Sequence, residues 1–400
     1  MRSRGLGFRA SSAMAGPTAG GVVSREFWRL PWRRGSTGGS RRSWVEEIRA
    51  GYLGSNLRLA LVLVLLWIAF GLIQPAFFNG TAISNVFVSA VLVLTLALGE
   101  TFVMIAGWID LSVAGMLAMS GMVAGKVMSV LYSGSGSDWA LMVGGLACAL
   151  VVGAVGGIAN GFVISKLKVN SLIVTLGSLG VFTGLASVIS GGNPITDFPS
   201  SVYVVGDGTW GPIPVYVVIV GVVSVLYGWI GRETRFGRHI YACGANREAL
   251  RRAGVSVQGV TLGVFGIAGL LGGLAGFLDT AHFEAASPVA GSSDLLLAVA
   301  AVVIGGTPLE GGEGSIAGTV LGALIISVLE NGFVIINVSS YWQEVAIGVM
   351  TVVAVFMGER RRGRRLQGGI VRVPVSKGGS SSWGDDRGLI GLLVRSVSEK

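Results

Sequence analysis

The chain has 400 residues, 52% of them hydrophobic and 13% charged, with 30 Lys and Arg against 21 Asp and Glu and a mean hydropathy of +0.71. An average soluble domain carries about 25% charged residues, so this composition excludes an ordinary soluble protein. The apolar runs are about 20 residues long, enough to cross a bilayer as helices, and the alternating strand-length segments that a membrane barrel needs are absent.

In chain order, residues 1–56 form a basic tail with 10 Arg and 3 Glu. It lacks a continuous apolar core, so no secretory signal is visible. Within it Trp44, Ile48 and Tyr52 recur every fourth residue. That stretch reads equally as an amphipathic helix on the membrane surface or as a disordered tail. Residues 57–357 form an all-α transmembrane domain. Ten crossings are predicted, at about 57–74, 83–106, 110–131, 139–164, 171–190, 213–231, 256–280, 285–309, 315–335 and 341–357. Residues 358–400 are a second basic tail, with 10 Lys and Arg against 4 Asp and Glu. On a membrane domain such tails read as positive-inside flanks rather than as a nucleic-acid surface.

Orientation follows from the short loops. Lys166 and Lys168 lie in loop 165–170, and six arginines lie in loop 232–255; loops 75–82, 132–138, 191–212 and 336–340 have no Lys or Arg. Each basic loop falls on the same side as both tails, which places both termini in the cytoplasm and the chain in the cytoplasmic membrane.

Asp110 interrupts the apolar run 101–121, and Asp294 stands in another. A lone carboxylate in hydrocarbon is costly. Asp110 precedes Leu-Ser-Val-Ala and Asp294 precedes Leu-Leu-Leu-Ala, so each can cap the helix that follows. One lies in each half of the chain, and the halves enter from opposite sides. That is the pattern of an inverted repeat of two five-helix halves, although Asp-Leu-x-x-Ala is short enough to arise by chance. A helix over 111–132 spans a bilayer, which puts Asp110 at the cytoplasmic edge. From Asp294 to Gly305-Gly306 there are only about 16 Å of helix, too few to cross about 30 Å. The crossing at 285–309 is therefore expected to be a broken helix, with 285–293 partly non-helical at membrane depth and Asp294 beside a translocation path. Asp110 is the other candidate for the path.

Glycine accounts for 65 residues. Gly153, Gly157 and Gly161 form one row of helical spacing, Gly314, Gly318 and Gly322 another, and Gly272 with Gly276 a third, as close helix packing requires. Loop 191–212 is the longest external connection. Its aromatics Phe198, Tyr203 and Trp210 suit contact with an extracytoplasmic partner, or the segment is an ordinary capping loop. In loop 232–255, Ala245 to Ala253 reads as a short helix that Asn246 caps and Gly254 ends. Ala245, Ala249 and Ala253 lie on one face, and Arg247, Arg251 and Arg252 on the other. The small-residue face could seat in a partner's groove; the alternative is a solvated basic loop.

Phosphate-binding GxxxxGK[ST], HExxH and GxSxG motifs are absent, and there are only two histidines, His239 and His282. Neither a catalytic centre nor a metal site is expected. Cys148 and Cys243 are not expected to pair. The acidic residues nearest to apolar runs are Glu100, Asp110, Asp279, Asp294, Glu330 and Glu344, most of them near predicted span ends.

The stretches "GWIDLSVAGMLAMSG", "NGFVISKLKVNSLIVTLGSLGVFTGLA", "TRFGRHIYACGANREALRRAGV", "AAVVIGGTPLEGGEGSIAGTVLGALI" and "NGFVIINVSSYWQEVAIGVM" together resemble the membrane permease of ABC importers for ribose-type monosaccharides. The resemblance runs over about 57–357. It implies a second permease subunit, one or two cytoplasmic ATPase subunits that bind ATP and Mg, and an extracytoplasmic sugar receptor. It also implies that loop 232–255 couples to the ATPase, with Gly244, Asn246, Glu248 and Gly254 on the matching positions and Ala249 on the docking face. The chain itself would carry no cofactor and catalyse no reaction. Departures occur at Trp108, where the family usually has a second Gly, at Ala114, at Asn170-Ser171, and at Glu310 and Glu313. They bear on which sugar is carried and on the partner ATPase. The alternatives are the same machinery for a nucleoside, branched amino acid or signalling sugar, and a self-contained secondary carrier.

Overall fold

The computed structural model describes residues 41–132 and 137–368, with side-chain surroundings for 54–132, 137–353 and 356. Most of both basic tails, and the side chains of Trp44, Ile48 and Tyr52, lie outside the described residues. The chain divides into two units, Met1–Arg49 and Ala50–Lys400. The first is described only as the opening of helix α1 (Arg41–Ile73), and everything below belongs to the second.

The protein is an all-α integral membrane protein. Among the described residues, eight helices are long and apolar enough to cross a bilayer. They are the Gly54–Ile73 part of α1, then α2 (Gly80–Ile105), α3 (Val113–Tyr132), α4 (Asp138–Lys166) and α5 (Ser171–Ser190). After the short α6 (Ser201–Gly206) come α7 (Val215–Glu233), α10 (Val257–His282) and α12 (Ile316–Ile335). Between α7 and α10 lie α8 (Arg235–Ala245) and α9 (Arg247–Arg252). The expected crossing at 285–309 is represented by α11 (Asp294–Ile304), of eleven residues. The expected crossing at 341–357 falls in α13 (Ser340–Gly368). A two-residue antiparallel pair, Thr209–Trp210 with Ile213–Pro214, closes a turn before α7.

The centre of the bundle is α2, α3 and α10, most of whose side chains are buried. Glycine makes this packing close. A Cβ on Gly157 would overlap the Phe265 carbonyl oxygen, and one on Gly153 the Gly269 oxygen, so α4 and α10 meet backbone to backbone. Gly276 meets Leu117 of α3, while Gly318 and Gly322 bring α12 onto Gly305 and Ala301. Helices with equally apolar surroundings gain stability from such dispersion contacts rather than from water exclusion. Gly314 is the exception in its row: it lies in the loop before α12, with a φ of 146°. By contrast α1, α5 and α7 expose Leu65, Leu72, Ile173, Val188, Val222 and Val225, which form an apolar outer surface suited to lipid.

Candidate functional site

Two places bring the candidate residues together: the end of the bundle that carries α8 and α9, and a break in the helical ladder towards the opposite end.

At the first, Thr234 caps α8 by accepting from the Gly237 N–H, and Asn246 caps α9 by accepting from the Ala249 N–H at 2.9 Å. Gly254, with a φ of 82°, turns the chain away after α9. The short helix expected over Ala245 to Ala253 is therefore met by α9, but Ala245, Arg235 and Arg238 belong to a separate helix, α8, and Arg232 to the end of α7. Of the six residues of α9 only Leu250 is buried. Ala245, Ala249 and Ala253 all face outward. Glu248 accepts from Arg252 and pairs with Arg251 on the same helix, and these bonds hold its carboxyl below the ordinary carboxylate range.

Gly244 does not share that outer surface. A Cβ there would overlap the Ile105 carbonyl oxygen and the Gly312 nitrogen, so the α8–α9 corner sits directly on the backbone after α2 and before α12. The Gly312 N–H donates to the Ile105 oxygen at 2.8 Å, and the Tyr241 hydroxyl donates to the Gly314 oxygen at 2.8 Å. Arg247 donates to the Gly107 carbonyl, and its guanidinium carbon lies 3.5 Å from the centroid of the Trp108 ring. Burial pushes the Cys243 thiol up, and the neighbouring Arg247 pulls it back.

The segment 106–112 turns back into the bundle. The Trp108 N–H donates to the Val103 oxygen, and the Asp110 N–H to the Glu100 carboxyl at 3.2 Å. Glu100 precedes the end of α2 by five residues, about 8 Å of helix. Asp110 is thus turned back towards α2 and fully buried in the bundle. Nor is it the cap of α3 in the strict sense. It accepts from the N–H and hydroxyl of Ser112, the residue that immediately precedes α3. Asn160 of α4 then donates to the Ser112 hydroxyl at 2.7 Å. The line Glu100–Asp110–Ser112–Asn160 was not foreseen, although an Asn in the apolar stretch around 160 was its visible sign.

At the second place, α10 ends at His282 and the backbone from 283 to 293 is non-helical. Ala286 and Ile195 exchange backbone hydrogen bonds of 2.9 and 3.0 Å. A Cβ on Gly125 would touch Ala286 and, farther off, Phe198; one on Gly291 would touch Leu117. Gly125 and Leu117 are eight residues apart on α3, so the segment descends about 12 Å into the bundle. Asp294 is the first residue of the short helix α11 there, as expected of a broken helix, but it does not cap it: Ser293 is the N-cap residue and makes no side-chain bond to the free N–H groups. Beside it a cavity of about 240 Å³ is lined by Ala114 and Gly115, by Leu179 and Thr183, and by Pro288 to Ala290, Ser292 and Leu295. Asp294 is not part of that lining. The two recessed stretches, 106–112 and 283–293, therefore approach α3 from opposite ends of the bundle.

Among the loop aromatics, Trp210 is 77% exposed and Tyr203 36%, but Phe198 is only 4% exposed. Its ring lies beside Gly125 of α3, next to Ala286, so Phe198 is a packing residue in this structure and not an exposed aromatic.

A family model described as the permease component of branched-chain amino acid transport systems matches residues 82–355. The chain is similar to the ribose import permease protein RbsC of Bacillus subtilis, at 38% identity over 79% of this chain and 97% of that protein. It is 35% identical to the ribose import permease protein RbsC of Escherichia coli K12, over 72% of this chain and 89% of that protein. With the D-allose transport system permease protein AlsC of Escherichia coli K12 the identity is 36%, over 74% and 88%. No solved structure matches. The length of these matches places the chain in the family of membrane permease components that the model describes.

Proposed function

We propose that this permease is the transmembrane subunit of an ATP-driven importer for a neutral, monosaccharide-like solute. It sits in the cytoplasmic membrane with both termini inside, as the Lys and Arg of loops 165–170 and 232–255 favour. A separate ATPase binds ATP and Mg and docks on α9; a sugar-loaded receptor docks on the opposite end, around Tyr203 and Trp210. A second permease subunit completes the path. The chain itself binds no cofactor and catalyses no reaction.

The observation that carries this reading is α9 itself. It is a short helix, capped at both ends, whose Ala249, with Ala245 at the end of α8 and Ala253 just after α9, is open to a partner while its other side is fastened to the bundle. An ordinary solvated loop needs neither the cap nor the fastening. The solute class is supported by the names of the relatives, a ribose import permease and a D-allose transport system permease. The broken segment and its cavity, with Thr183 and Ser292 as the polar side chains, form a stretch of the path.

The test is ATP hydrolysis by the assembled complex with receptors loaded with ribose, allose, arabinose or leucine. Stimulation by one of the sugars supports the proposal. Stimulation by leucine alone would move the solute to the amino acids.

A further inference from the structure

We propose that Arg247 and Trp108 form a pin that makes α9 and the recessed segment 106–112 move as one body. Arg247 is thereby a positioning residue for transport, acting through Trp108 and Gly107 on the Asp110–Ser112–Asn160 line inside the bundle. The proposal rests on the reading above that α9 docks on an ATPase.

The geometry has three parts. First, α9 has little other hold on the bundle, since only Leu250 of its six residues is buried. Its first residue, Arg247, makes the connection: one nitrogen donates to the Gly107 carbonyl, and the planar guanidinium lies over the Trp108 ring at 3.5 Å. A planar guanidinium can stack flat on an aromatic face while it donates at its edge; an ammonium has no flat face to stack.

Second, the corner cannot slide. Gly244 lies against Ile105 and Gly312 with no room for a Cβ, and Tyr241 is bonded to the Gly314 carbonyl. A push on α9 is therefore passed to the backbone beneath it.

Third, that backbone leads inward within a few residues. The Trp108 N–H is bonded to Val103, the Asp110 N–H to Glu100, Ser112 to Asp110, and Asn160 to Ser112. Every member from Asp110 inward is buried. Buried polar contacts in a low dielectric are expensive to break, so the line favours discrete arrangements over gradual stretching. Its far end, on α4 and at the start of α3, lies beside Ala114 and Gly115 of the cavity wall.

The test uses the complete complex in proteoliposomes and reads solute transported per ATP hydrolysed. That ratio is insensitive to how much protein inserts, so a merely structural loss would not move it. Trp108→Ala and Arg247→Ala are each expected to lower the ratio about fivefold or more, with the ATPase still bound. The double variant is expected to be no worse than the worse single, because both changes remove the same pin. Should the Ala variants fail to insert, Arg247→Lys and Trp108→Phe serve instead, with an expected drop of at least about twofold for Arg247→Lys. A wild-type ratio in the single variants, or a loss in the double variant equal to the product of the singles, overturns the pin. Absence of ATP-dependent transport by the unmodified complex would instead reject the underlying importer reading.

Discussion

Ile195 and Ala286 exchange two backbone hydrogen bonds, which tie the loop after α5 to the segment that descends towards Asp294. A receptor that moved the loop would therefore also move the broken segment. Single cysteines placed through 288–298, probed with a membrane-impermeant thiol reagent, test whether that segment lines a path. The cysteine at Ser292, which borders the cavity, should be protected by the transported sugar, and one at Asp294 should react more slowly than one at the exposed Glu284. Equal labelling at 284 and 294 without protection by sugar would make the segment an ordinary surface turn.

Ala249→Asp should leave the protein inserted while cutting transport at least about tenfold. Ala249 is exposed on α9, so the carboxylate costs nothing in the isolated subunit. Buried unpaired in a partner's groove it costs several kcal/mol. Uptake at the normal rate would show that this face docks on nothing.

The close helix contacts make a contrast that needs no partner. Gly157→Ala places a Cβ on the backbone of Phe265, where neither chain can yield. It should lower stability by about 1–3 kcal/mol. Gly177→Ala on α5 meets nothing within 4 Å and should be neutral or stabilising by up to about 1 kcal/mol. Thermal unfolding of the two purified variants in detergent measures the difference, and equal midpoints would contradict the packing.

Much of this was legible in the sequence, for physical reasons that differ by region. The spans announce themselves because a bilayer demands about 20 apolar residues in a row. The break before Asp294 followed from counting residues against bilayer thickness, and the glycine rows from the spacing of one helical face. The capping of α9 was readable because an N-cap bond reaches only three residues along the chain. What escaped were contacts between distant segments. Phe198 is buried beside Gly125 of α3 and Ala286, and Asp110 is turned inward with Glu100 accepting its N–H. Arg247 was grouped with Arg251 and Arg252 on one face because its partners, Gly107 and Trp108, lie on another loop. Hydrophobic patterning says little about such pairs where nearly every neighbour is apolar.

Glu248 gives a prediction in pH. Bonds from Arg251 and Arg252 lower its carboxyl from the ordinary 4.5. A lowered value in the folded state means that the contribution is complete above the ordinary value and is lost as pH falls through the lowered one. Between about pH 6 and 8 the carboxylate is therefore constant in charge. The pH profiles of coupled ATP hydrolysis for wild type and Glu248→Gln should run parallel in that range. An inflection present in one and missing in the other would contradict the assignment.

The central claim is that transport through this bundle is driven from α9 by ATP on another subunit. Its most direct test is uptake of labelled sugar into proteoliposomes that hold either the permease alone or the complete complex with its ATPase and receptor. The account expects uptake only in the complete complex with ATP and Mg present, and none under an imposed proton or sodium gradient without ATP. Gradient-driven uptake by the permease alone would contradict it and identify a self-contained carrier.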